Sequence, residues 1–124
     1  MDLAPRRFAD TMVLHPAGRI NHMGSDELKA ALEPFLARCA AGQDQIVLDL
    51  SALEYISSAG LRVLMLARKQ AKAQGGTLVV TGLAALVKEI FEISKFTMVF
   101  EVFPGVREAL ARISPAALAA FEAA

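Results

Sequence analysis

The sequence predicts an α/β fold in one domain: a mixed central sheet of about four to five strands with about four helices packed on it. Three observations carry that expectation. First, Ile46-Val47-Leu48 with Leu50 is a short apolar run without clean alternation, the pattern of a strand covered on both faces. Second, a short connection then leads into Ser57, Ser58, Ala59 and Gly60, followed from Leu61 onward by apolar residues at helical spacing. Third, strand-like and helix-like stretches alternate along the remaining chain, as in sheets flanked by helices.

Taken in order, residues 1–7 read as a flexible lead-in containing Pro5 and Arg6-Arg7. Thr11-Met-Val-Leu-His15 has β propensity, and Pro16-Ala-Gly18 punctuates it. Ser25 reads as the N-cap of a first helix, with Asp26 and Glu27 suited to its opening turn. Leu28, Leu32, Phe35, Leu36 and Cys39 recur at helical spacing as one buried stripe. Pro34 interrupts that stripe, so a kink or break is expected between Ala30 and Glu33.

After the central strand and its helix, Gln74-Gly-Gly76 is a stop signal and Thr77-Leu-Val-Val-Thr81 the next strand. Leu83, Leu86, Val87, Ile90 and Phe91 mark a third helix, ended by Ser94-Lys95. Met98-Val-Phe-Glu-Val-Phe103 reads as a strand, and Pro104-Gly105 turns into a last helix over Val106 to Ile113. Ser114-Pro115 breaks that helix, leaving residues 114–124 as an alanine-rich tail of a turn or two.

Composition narrows the function classes. At 124 residues, with 55% hydrophobic and 21% charged residues, the chain is long and apolar enough for one real core. Thirteen basic residues balance thirteen acidic ones, so no general field draws it to nucleic acid or an anionic membrane. The single Cys39 cannot close an internal disulfide, which fits a reducing compartment. No apolar run approaches the ~18 residues of a membrane span, and no signal-type segment follows Met1. The expected location is the cytoplasm.

On a wheel at about 100° per residue, Arg62, Lys69 and Lys72 fall within about 40° of Ser58, while Gly60, Val63, Leu64, Ala67 and Ala71 gather opposite. Ser58 therefore points to solvent. Leu61 and Met65 lie near that same outer face, where a plain surface helix carries polar residues. A hydroxyl, an arginine one turn on and two apolar neighbours make a docking patch. A phosphate added there would meet the positive end of the helix dipole and bring about −1.5 to −2 charge. From the residues alone, a plain capping role for Ser57 or Ser58 is the favoured reading, since capping serines are common.

Other constellations point nowhere specific. His15 and His22 have no metal-ligand spacing with Cys39, and no metal or cofactor is expected. A Ser-His-Asp hydrolase lacks the Gly-x-Ser-x-Gly elbow, and the glycines form no phosphate loop. Asp49 reads either as an interaction acid or as a strand-end cap. The basic helix face of Arg62, Arg68, Lys69 and Lys72 has no clustered aromatics to suggest nucleic acid.

Asp49-Leu-Ser51 followed by Tyr55-Ile-Ser-Ser-Ala-Gly-Leu-Arg62 resembles the signature of the STAS domain, of the bacterial anti-sigma-factor antagonist type. The resemblance covers roughly residues 8 to 113. It implies a STAS-like fold and a protein that performs no chemistry itself. It implies Ser58 as phosphoacceptor for a partner that is both anti-sigma factor and serine kinase, with a PP2C-type phosphatase as a further partner. It implies a partner-binding face of Asn21, Ser57, Ser58, Ala59, Gly60, Leu61, Arg62 and Met65, on a monomer or weak dimer. Ser57 stands where the family usually has aspartate, Ala59 replaces a second hydroxyl, and Asn21 in Gly18-Arg-Ile-Asn21 replaces another aspartate. Lys95-Phe96 stands where a Gly-Leu pair is common. The same resemblance admits a second role, a non-switching scaffold or accessory subunit of a sensory complex or transporter ATPase.

Overall fold

The computed structural model describes residues 1–124. In chain order the elements are β1 (Arg6–Phe8), β2 (Thr11–Leu14), β3 (Gly18–Ile20), α1 (Gly24–Leu36), β4 (Gln45–Asp49), β5 (Leu53–Ile56), α2 (Ser58–Ala73), β6 (Leu78–Thr81), α3 (Ala85–Ile93), a 3-10 turn (Phe96–Met98), β7 (Val102–Phe103), α4 (Val106–Ile113) and α5 (Pro115–Ala123). The main sheet runs β1-β2-β4-β6-β7, with β1 antiparallel to β2 and every other pair parallel. A separate parallel ladder joins β3 to β5.

The lack of alternation in β4 follows from cover on both faces. Ile46 and Leu48 join Met12, Leu14, Leu78 and Val80 in the larger core, under Leu28, Leu32 and Leu36 of α1, Leu64 and Ala67 of α2, and Val87 and Phe91 of α3. Val47 points the other way with Val13 and Val79, into a smaller core closed by Ala109 and Leu110 of α4 and Ala117 of α5. Each fully buried aliphatic side chain is worth roughly 1.5–3 kcal/mol relative to exposure, so the central strand anchors both cores. Cys39 is buried in the larger one, its Sγ donating to the Thr77 carbonyl at 3.4 Å. Burial pushes its thiol pKa up to about 11, the property of a core residue rather than a nucleophile.

Several elements differ from the sequence expectation. Arg6 and Arg7 are not loose lead-in but belong to β1, and Leu3 before them is buried. α1 runs through Pro34, which sits in its last turn. Ser25 is not the N-cap; it is buried, and its hydroxyl donates to the His22 carbonyl at 2.7 Å. The connection after β4 contains a strand, β5, hidden because its partner β3 lies far back in the chain. The strand expected over 98–103 shrinks to β7, because Phe96 to Met98 coil into the 3-10 turn and Phe91, Phe96 and Phe100 gather within 6.0 Å of one another.

The tail is a fifth helix. Ser114 ends α4 and starts α5: its Oγ accepts from the Ala117 amide at 3.1 Å and donates to Asp10 Oδ1 at 2.7 Å. Pro115 occupies the first helical position, where its missing N–H costs nothing. Phe121 then meets Phe8 of β1 edge to face at 5.3 Å.

Candidate functional site

The site forms where the β3–β5 ladder ends and two helices begin. Ile20 pairs with Ile56, Arg19 pairs with Tyr55 and stacks its guanidinium 4.8 Å from that ring, and the Ser57 amide donates to the Ile20 carbonyl at 2.8 Å. The two strands thereby release Asn21 and Ser57 at the same end. Asn21 Oδ1 accepts from the Gly24 amide at 2.9 Å and holds the start of α1. Ser57, in extended backbone at φ −77° and ψ 168°, accepts from the Gly60 amide at 3.2 Å and caps α2.

That division of labour settles which serine is the cap. Ser57 satisfies an orphan donor of the first turn, as an N-cap should. Ser58 is the first residue of α2, exposed and outside the capping bond. No acidic residue stands in that first turn.

Gly60 explains how α2 sits so close to the ladder. A Cβ there would lie 2.7 Å from Ile56 Cγ1 and 3.1 Å from Ile20 Cγ2, nearer than packed carbons approach. Gly60 and Leu61 are therefore buried. This corrects the expectation of an outward Leu61: at 6% exposure it forms floor, not rim, because α2 settles onto the ladder on that side. Ser58, Arg62 and Met65 remain at the surface.

An open depression collects Ser58, Ala59, Leu61, Arg62 and Met65 of α2, His22 from the turn before α1, Ser94 from the end of α3 and Phe96 from the 3-10 turn. The structure thus brings together most of the residues singled out in the sequence and adds His22, Ser94 and Phe96. Lys95 turns the chain between the last two in the left-handed region, at φ 65°. The bordering segments carry Met23, Ile93 and Met98, which are 83%, 81% and 82% exposed. Isolated exposed apolar residues are ordinary, and these three lie within two positions along the chain of His22, Ser94 and Phe96. No periodicity flags them; their unpaired exposure is visible only in three dimensions.

Asp49 does not line this depression. Its Oδ1 accepts from the Ser51 amide at 3.1 Å, and His15 Nε2 lies 3.8 Å from its Oδ2. It is a strand-end cap. No helix is long and apolar enough to cross a membrane.

The family model described as Mlab, STAS domain matches residues 3–101. A protein of Bordetella bronchiseptica named as an anti-sigma factor antagonist, BtrV, is 43% identical over 101 residues, covering 82% of this chain and 84% of that protein. Among solved structures, the Thermotoga maritima protein TM1081, named as an anti-sigma factor antagonist, superposes with a TM-score of 0.80 at 20% identity, covering 90% of this chain and 93% of that one. The phosphorylated form of the Bacillus cell-fate determinant SpoIIAA superposes with a TM-score of 0.64 at 14% identity, covering 88% and 96%. The same fold occurs in transporters. With the family model spanning residues 3–101 and a relative 43% identical over 82% of the chain, this chain belongs to the STAS domain family.

Proposed function

We propose that this protein is an anti-sigma-factor antagonist that docks on an anti-sigma factor through the depression around Ser58 and is released when Ser58 is phosphorylated. The observation that carries the reading is the separation of roles between adjacent serines. Ser57 does the capping, so the exposed hydroxyl of Ser58 is not needed to hold the helix. The name of the 43% identical relative supports the class of partner.

The physical sequence is short. The neutral site offers apolar Leu61, Met65 and Phe96 beside the small Ser58 and Ala59, a surface a protein partner can cover and dry. The partner, acting as a serine kinase, passes the γ-phosphoryl of its own ATP to Ser58 Oγ; ADP leaves and the hydroxyl proton goes to the partner. The first turn of α2 tolerates the product, since it carries no acid and its free amides favour an anion. Covering the face would now mean desolvating about −1.5 to −2 charge, and the complex separates. A PP2C-type phosphatase would restore the docking form. This chain contributes a surface and an acceptor oxygen, and the catalysis belongs to its partners.

Incubation with the cognate kinase and ATP, followed by phosphate mapping by mass spectrometry, tests the reading. Phosphate on Ser58 is expected, with none on a Ser58→Ala variant and weaker binding by Ser58→Asp. Unlabelled Ser58, together with equal binding by all three forms, would instead identify a non-switching subunit that uses the same face.

A further inference from the structure

We infer that Arg62 and His22 clasp the phosphate once Ser58 carries it, so that the modified site is a closed ion cluster and not a free charge in solvent. This rests on the reading of Ser58 as the acceptor. Arg62 and His22 line the same depression as Ser58, and neither takes part in an ion pair. No carboxylate lines it. Unpaired cation-forming side chains with no anion among them leave a place for an added one.

The directions of approach fit. Ser58 and Arg62 are four residues apart on α2, so they are neighbours on the helix surface. An arginine side chain on a helix leans toward the N-terminus, which brings its guanidinium toward position 58. A guanidinium meets phosphate oxygens through two parallel N–H donors, the strongest pairing available to it. His22 comes from the turn before α1 and so reaches the depression from a different element. Lys95 follows Ser94 in the chain but is outside the lining, as are the acids Asp26, Glu27 and Glu92.

Two consequences follow for regulation. The phosphate would draw Arg62 inward and remove it, as well as the bare hydroxyl, from what a partner meets. The clasp would also be pH-sensitive around neutrality. Cations favour the dianionic phosphate and lower its second pKa below the ordinary value near ~6.

The test installs phosphoserine at position 58 during synthesis with an expanded genetic code, so that no kinase is required. Phosphorus NMR then follows the second ionisation with pH. It is expected below that of phosphoserine in a short peptide, and to rise by about half a pH unit in Arg62→Gln, with a smaller rise in His22→Gln. Added salt should shrink the difference from the peptide. One peptide-like value shared by wild type, Arg62→Gln and His22→Gln would overturn the clasp. The switch itself is read separately, by partner release from the same phosphorylated protein, so each idea can fail without the other.

Discussion

The Ser57 amide reaches the Ile20 carbonyl at 2.8 Å, and that bond joins two distant parts of the chain into one site. It extends the β3–β5 ladder beyond the Ile20–Ile56 pair and fixes where both strands hand over to helices. Asn21 and Ser57 then serve as the side-chain anchors of α1 and α2. Because neither is an acid, the junction keeps its hydrogen bonds without placing negative charge beside Ser58.

Gly60→Ala should loosen this junction. The new methyl has no room against Ile56 and Ile20, and overpacking of that kind costs about 1–3 kcal/mol. Better helix propensity returns at most about 1 kcal/mol. A net loss of about 1–2 kcal/mol is expected as a lowered urea midpoint at unchanged m-value.

The two serines should separate cleanly. Ser57→Ala removes the cap and is expected to cost about 1 kcal/mol in chemical denaturation while leaving Ser58 available to the kinase. Ser58→Ala should stay within about 0.5 kcal/mol of wild type and lose the phosphate. If the stability loss fell on Ser58→Ala, the assignment of cap and acceptor would be reversed.

Sequence carried the fold where signals were local. The apolar run of β4, the helical spacing of α2 and the Ser57-Ser58 doublet all sit within one stretch, and the structure places the strand, helix and cap there. β5 was illegible because Leu53 to Ile56 becomes a strand only through pairing with Gly18 to Ile20. Leu61 was misplaced because a wheel at ideal spacing does not know which side of α2 the ladder touches. The depression joins His22, Ser58 to Met65, and Ser94 with Phe96 from three stretches of chain, so no window of sequence contains it. The start of α5 was readable after all: a serine followed by proline is an N-cap and first-turn pair as much as a breaker.

Acid should weaken the fold through Asp44. This buried carboxylate is held by Arg7 Nη1 and Nη2, each at 2.9 Å, and by Arg38 Nε at 3.1 Å. Those bonds, the one from Arg7 foremost, hold its pKa below the usual aspartate value. A depressed carboxylate contributes stability that is complete above its unfolded pKa of about 3.9 and is lost as pH falls through the folded value. Asp44→Asn is therefore expected to be about 1 kcal/mol less stable at neutral pH, with the gap closing below about pH 4. Parallel curves for the two proteins down through acid would remove Asp44 from the account.

The C-terminal helix should be worth more to the sheet than its alanine-rich sequence suggests. Ser114 is buried and links three elements: it caps α5 through the Ala117 amide, ends α4, and donates to Asp10 in the turn between β1 and β2. That donation is the leading reason the Asp10 carboxyl is held below its usual value. Ser114→Ala removes both bonds at once, and the lost cap alone costs about 1 kcal/mol. The bond to Asp10 is charge-assisted, so the combined loss is expected at about 2 kcal/mol. Hydrogen exchange should localise the damage, with amides of α5 and β1 exchanging faster and those of α2 unchanged. Were α2 to loosen equally, the tail would be a brace for the whole domain, and its variants would have to be checked for effects at Ser58.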